Sequence, residues 1–261
     1  MLIVKVGTDE QCCMVRGERR FDQEILAGIA RQIAVVIRRD VRVALIVSGA
    51  IQAGRELLQN GSLDDRSLAA LGQDLLMARW RRAFQRSDIH TGQILVTTAN
   101  WKKRSERESL LATILDLCQH GHVPLINEND PVSPREARTM RRGLSENDGL
   151  AARIAKCVKA DAALFLTNVG GIYVADPRIH TNSRRYAEVS AHATPQRLGI
   201  THTVGLNGRG GMGAKLLAAT ALARARLRVA IACYEGNAIV RFANGENVGT
   251  VIGQRKRFAE E

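Results

Sequence analysis

Lys5 and Lys215 stand where a cation could act on a phosphate. Lys5 opens Lys5-Val-Gly-Thr8 at the end of the apolar run Leu2 to Val6, and Lys215 closes Gly208-Arg-Gly-Gly-Met-Gly-Ala-Lys215. Only seven of the 38 basic residues are lysines, so a lysine in a glycine-rich setting is more telling here than any arginine. Glycines ahead of a helix leave backbone N–H groups free to wrap a polyphosphate, and a lysine one turn inside the helix neutralises charge that develops as a phosphoryl group moves. The segment is not a Walker A loop, since the Gly-Lys-Ser/Thr ending is absent; a flexible hairpin is its plain alternative. Ser48-Gly49-Ala50 reads either as an ordinary βα turn or as a second place where backbone N–H groups face an anion.

Two Asn/Asp clusters, Asn127-Glu-Asn-Asp130 and Ser145-Glu-Asn-Asp148, lie about 18 residues apart. Together they offer donors and acceptors suited to an amino acid held by its ammonium and carboxylate groups. An N-cap role for Asn147 or Asp148 explains one cluster but not both.

These residues need a scaffold, and the apolar pattern supplies one. Leu2 to Val6, Arg42 to Val47, Gly92 to Thr97, Val123 to Ile126, Ala163 to Thr167 and Val229 to Cys233 read as buried strands. Ile25, Ile29, Ile33 and Val36/Ile37 form the stripe of a helix packed on a sheet. Further helices are expected from a Ser62-Leu-Asp-Asp65 capping box to about Arg86, from Asn147 or Asp148, and from Met212 to Lys215 onward. Strands alternating with helices mean an α/β chain with a mainly parallel sheet and helices on both faces, whose ligands sit at the carboxyl ends of the strands.

Composition narrows the field. The chain has 261 residues, 45% hydrophobic and 25% charged, which is ordinary globular content. Its uncharged stretches fall short of the ~20 apolar residues of a membrane helix, and its first residues are too short an apolar run for a signal peptide. The expected setting is therefore cytoplasmic, with no membrane partner. A net charge of +12 permits nucleic-acid binding, but the basic residues are scattered and aromatics are only 4%, so nucleic acid is not the expected partner. The five cysteines form no CxxC pair and are expected reduced and structural. No metal-binding residues are expected, since the six histidines show no ligand spacing. Arg79, Arg81, Arg82 and Arg86 read as a solvated helix face, and Leu75, Leu76, Met77 and Trp80 as core or subunit interface.

Lys5-Val-Gly-Thr8, Val47-Ser-Gly-Ala-Ile51 with Ala53-Gly54, Leu71-Gly-Gln73, Pro124-Leu-Ile-Asn-Glu-Asn-Asp130, Asn147-Asp148, Leu166-Thr-Asn168, Gly171-Ile-Tyr173, Asp176-Pro-Arg178 and Gly210-Gly-Met212 with Lys215 follow one another in an order that resembles the amino-acid kinase family. The likeness runs from Leu2 to about Arg257. It is strongest with the branch that phosphorylates the side-chain carboxylate of glutamate, to which the Ile-Asn-Glu-Asn-Asp and Gly-Gly-Met segments are specific. Many bacterial members of that branch carry a further C-terminal PUA domain, and this chain ends before it would begin.

The resemblance implies a three-layer αβα sandwich in one domain, residues 1–261. The acid would lie over the N-terminal half (about 1–160) and ATP with Mg2+ over the C-terminal half (about 161–261). It implies a homo-oligomer, dimer or tetramer, acting on a small acidic molecule in proline synthesis. Lys5, Asp148 and Lys215 would be catalytic, with Asp148 accepting hydrogen bonds from both lysines. Ser48, Gly49, Ala50, Asp130 and Asn147 would hold the acid. Gly7, Thr8, Gly210, Gly211 and Met212 would place backbone N–H groups on the phosphates, and Thr167, Asn168, Tyr173 and Asp176 would line the nucleotide.

Six positions depart from the family pattern. Asp9 follows Thr8 where Ser is common, Val47 replaces Ser or Thr, Glu146 stands in the Gly-Asp-Asn-Asp segment, and Asn168 replaces Asp. Arg209 and Ala214 replace the two threonines of the glycine loop. The loop from Pro131 to Leu144 is longer than expected and holds Arg135, Arg138, Arg141 and Arg142. Those arginines are either solvated charge or a subunit contact, or a clamp for a more anionic acid. A divergent paralogue acting on another small acid, and a non-catalytic regulator or nucleic-acid-binding relative, are the rival readings; retention of Lys5, Asp148 and Lys215 speaks against the latter.

Overall fold

A computed structural model describes residues 1–15, 18–58, 63–133, 146–200 and 211–253. Strand β1 (Leu2–Val6) shows how the sequence sets the layers. Side chains alternate across a strand, so Leu2, Val4 and Val6 enter one apolar cluster while Ile3 enters another. The same division runs through β4 (Val43–Val47) and β7 (Ala162–Leu166). Strands apolar on both faces require cover on both, and each buried Leu, Ile or Val contributes roughly 1.5–3 kcal/mol.

Helices supply that cover. One face carries α1 (Gln23–Ile37), α2 (Ala50–Leu57), α3 (Asp65–Gln85) and α8 (Ala238–Ala243). The other carries α4 (Thr98–Lys102), α5 (Arg104–Gln119), α6 (Glu146–Cys157) and α7 (Met212–Arg224). The sheet between them has eight strands in the order β5-β6-β4-β1-β7-β9-β10-β8, with β5 Thr91–Val96, β6 Val123–Glu128, β8 Glu188–Val189, β9 Arg228–Ala232 and β10 Thr250–Ile252. Every neighbouring pair is parallel except β9 with β10. The expected αβα sandwich is thus the observed fold, and the six expected strands are its six longest.

Two features differ from the sequence reading. Cys12–Val15 (β2) and Glu18–Phe21 (β3) form a separate antiparallel pair. The cap of α3 is Asp64, whose carboxylate accepts from the Ser67 N–H at 2.8 Å; Ser62 lies outside the described residues.

Gly54 and Gly72 have a purely steric duty. A Cβ on Gly72 would sit 2.1 Å from the Ala50 carbonyl oxygen and 2.2 Å from the Gly54 nitrogen, and one on Gly54 would sit 2.0 Å from the Leu68 oxygen. Helices α2 and α3 therefore touch backbone to backbone. Gly72→Ala should lower stability by about 1–3 kcal/mol, the cost of forcing a methyl group into a closed contact. Urea unfolding checks this, and an unchanged midpoint would contradict the contact.

Candidate active site

Lys5 points to the same face of β1 as Ile3, toward α6 and α7, because the two lie two residues apart. A buried ammonium needs a partner. Its Nζ lies 2.7 Å from Oδ1 of Asp148, a fully buried residue in the first turn of α6. Lys215, in the first turn of α7, is buried as well, and its Nζ lies 3.0 Å from Oε1 of Glu10. Burial works against its charged form, but the Glu10 and Asp148 carboxylates outweigh this and hold the ammonium above its ordinary pKa. Asp148 therefore serves the two lysines unequally: it contacts Lys5 and acts on Lys215 through its field. Lys215 is in contact with Glu10, a carboxylate not among the expected site residues.

Glu10 was not singled out from the sequence. It lies in a short 3₁₀ turn, Asp9–Gln11, capped by Thr8. A Cβ built on Gly7 would fall 2.2 Å from Glu10 Oε2 and 3.3 Å from Lys5 Nζ, so glycine lets both charged groups lie close against this turn. The neighbouring Asp9 is held by Arg19 on β3. Its negative charge is thus balanced from outside the lysine cluster.

Gln11 ties two turns together. Its Nε2 donates to the carbonyls of Gly7 at 2.7 Å and Ser48 at 2.9 Å, and its Oε1 accepts from Trp80 Nε1 at 2.9 Å. Both Gln11 and Trp80 are fully buried. Trp80 is thereby core, as expected, and Arg79 beside it is half-buried rather than on an open face: it pairs with Glu56 at 2.6 Å and covers the Phe21 ring.

Two of the residues expected to hold the acid, Ser48 and Asn147, share one hydrogen-bond network. Asn147 Nδ2 donates to Ser48 Oγ at 2.9 Å and to Asn127 Oδ1 at 3.0 Å, and Asn127 Nδ2 donates to Gln73 Oε1 at 2.8 Å. Gly49 sits at φ 116° with Phe21 Cζ only 2.7 Å from where a Cβ would be, so both conformation and space exclude other residues. Ala50 opens α2, and Asp130 is buried in the turn after β6. Asn127 and Gln73 extend this set beyond the expected residues. The amide chain joins the carboxyl ends of β4 and β6 to α3 and α6.

On the other half, Gly211 caps α7 and Met212 begins it, while Gly210 and Arg209 lie outside the described residues. Thr167 is buried, and its N–H is already donated to the Ala232 carbonyl at 2.9 Å. Asn168 is exposed. Tyr173 bridges to Arg185, and its hydroxyl lies over Gly170. Asp176 receives three bonds from Arg178, two from its guanidinium at 3.0 and 2.6 Å and one from its backbone N–H at 3.0 Å, which hold its carboxyl below the usual range. The arginines at 135, 138, 141 and 142 lie outside the described residues.

All five cysteines are free, and burial pushes the Cys12 and Cys118 thiols up to about 12. Among the described residues no group of three or more His, Cys, Asp or Glu side chains could hold a metal ion, and no helix is long and apolar enough to cross a membrane.

Fold and site together define a three-layer α/β protein with two buried lysine–carboxylate pairs at the carboxyl edge of its sheet. The profile of the amino acid kinase family matches residues 2–233, and the chain belongs to that family. Its curated relatives include the glutamate 5-kinases of Shewanella oneidensis, 34% identical over 95% of this chain, and Thermus thermophilus, 34% identical over 100% of it. The chain spans 66% of the length of the first and 69% of the second. Among solved structures, carbamate kinase from Giardia lamblia bound to AMP-PNP shares the fold with a TM-score of 0.67, at 13% identity, over 97% of this chain and 98% of that one.

Proposed function

We propose that this chain phosphorylates the side-chain carboxylate of L-glutamate from ATP, giving the acyl phosphate L-glutamyl 5-phosphate for proline synthesis. The observation that carries the reading is the gathering of Lys5 and Lys215, 210 positions apart in the sequence, into one buried cluster with Asp148 and Glu10 beside Gly7. The acid's carboxylate oxygen would attack the γ-phosphorus in line while the bond to the ADP oxygen breaks. A carboxylate is already a competent nucleophile, so the protein's task is positioning and charge neutralisation. Lys5 and Lys215 would meet the phosphoryl oxygens from two sides. Asp148 keeps Lys5 oriented, and Ser48, Asn147 and Asp130 would hold the amino acid.

The buried ammonium groups and the glycine turn fit a polyphosphate. Mg2+ commonly keeps several waters and binds through one or two carboxylates plus substrate phosphates. Asp148, the carboxylate beside Lys5, fits that donor pattern, and the ion would supply charge neutralisation on the phosphates. The same reading carries a cytoplasmic homo-oligomer, dimer or tetramer. Its acid half would be about residues 1–160 and its nucleotide half about 161–261, with Thr167, Asn168, Tyr173, Asp176 and Gly210 to Met212 at the nucleotide and Thr8 meeting its phosphates from the other half.

Protein incubated with Mg-ATP, glutamate and hydroxylamine should yield the hydroxamate of the trapped acyl phosphate. Product only with another acid would favour a divergent paralogue, and nucleotide turnover with no acid would overturn the reading. Asp130→Ala should raise the KM for glutamate by about tenfold, the scale of one charged hydrogen bond, and leave the KM for ATP unchanged. A selective loss of ATP affinity would show the two halves to be misassigned.

A further inference from the structure

Glu10 is a buried acid that the proposed reaction does not use. Its carboxylate lies against Gly7 and Lys215, where, on the reading above, phosphoryl oxygens would go. Oε1 is 3.0 Å from Lys215 Nζ, and Oε2 occupies the space that a Cβ on Gly7 would need. Lys5 Nζ borders the same space, 3.3 Å from that Cβ position. An ionised carboxylate at this depth is tolerable only because an ammonium compensates it. The converse also holds, since among the described residues Glu10 is the contact carboxylate of the Lys215 ammonium. Lys5 has Asp148, Lys215 has Glu10, and Asp9 is taken by Arg19. Among the described residues each of the two buried ammonium groups thus already has a carboxylate in contact.

A carboxylate oxygen and a phosphoryl oxygen compete for the same donors, and two anions cannot share one ammonium at contact without repulsion. We propose that Glu10 is an internal competitor of polyphosphate: its carboxylate occupies the Lys215 and Gly7 positions, is displaced when phosphate binds, and so sets the affinity for the phosphoryl donor. Glu10 is a specificity-determining residue rather than a catalytic one. This inference rests on the proposed function only in placing phosphate beside the two lysines, and its test needs neither turnover nor an acid.

The probe is inorganic tripolyphosphate, with Mg-ATP as a second ligand, titrated calorimetrically into the full chain. Glu10→Gln keeps the side-chain volume and removes the charge, and it should bind tripolyphosphate about tenfold tighter than the parent; Glu10→Ala should do the same. Thermal unfolding of each variant establishes that it is folded. A readout on the unaltered protein guards against variants that fail to fold: carbodiimide labelling of Glu10 should rise when tripolyphosphate is added. Equal or weaker binding by the folded variants, or labelling that stays constant at saturating tripolyphosphate, overturns the proposal. Failure of parent and variants alike to bind any polyphosphate sinks it together with the phosphate site on which it rests. Tighter binding without hydroxamate formation would uphold the role of Glu10 while rejecting glutamate as the acid.

Discussion

Lys215→Met should lower the rate of acyl-phosphate formation by about 10²–10³-fold, the scale of removing one preorganised electrostatic group. Methionine keeps much of the length and volume of lysine, so the packing of α7 survives and the lost quantity is the charge. That charge is secure in the parent: burial opposes it, but Glu10 and Asp148 keep the ammonium protonated through the neutral range. The variant also strands Glu10, a buried carboxylate whose contact cation is gone. Stability should therefore fall along with turnover. Adding Glu10→Gln separates the two effects, because the double variant should recover stability without recovering turnover. Hydroxamate formation and urea unfolding, measured on both variants, read the two quantities. Turnover at the parent's rate in Lys215→Met would remove this residue from the chemistry.

Asp148→Ala should cost about 3–5 kcal/mol of stability, because it leaves the Lys5 ammonium deep in the sheet without its ion pair. Asp148→Asn, which retains a carbonyl oxygen for Lys5 to donate to, should cost less. Turnover should fall in both, since Lys5 loses the group that orients it and Lys215 loses a second negative field. Denaturant midpoints at matched slope check the ordering. If the alanine variant were as stable as the parent, Lys5 would have to be solvated rather than buried.

Much of the scaffold was legible in the chain because strand alternation is a local signal. Leu-Ile-Val-Lys-Val announces a strand apolar on both faces with one charged intruder, and that intruder is the site lysine. The amide network was partly legible as two clusters of Asn and Asp. Glu10 was not, because Asp-Glu-Gln beside a glycine turn reads as an exposed polar bend. Its burial is created by Lys215, which arrives from a helix more than 200 residues along the chain. Gln11 escaped for the same reason: Trp80, which fixes its amide, comes from α3. Gly54 and Gly72 were visible only as parts of a family pattern, whereas their physical reason, a helix crossing without side chains, needs coordinates. β8 and β10 are two and three residues long, too short for any periodicity.

The amide of Gln11 gives this fold a crossbar. It fastens the turn after β1, where phosphate would rest, to the turn after β4, where the acid would rest, and Trp80 anchors the crossbar in a long helix. A shift of either turn is therefore felt at the other through this one amide. Occupancy of one half should thus alter affinity in the other by the same factor in either direction, a thermodynamic linkage built from a single side chain.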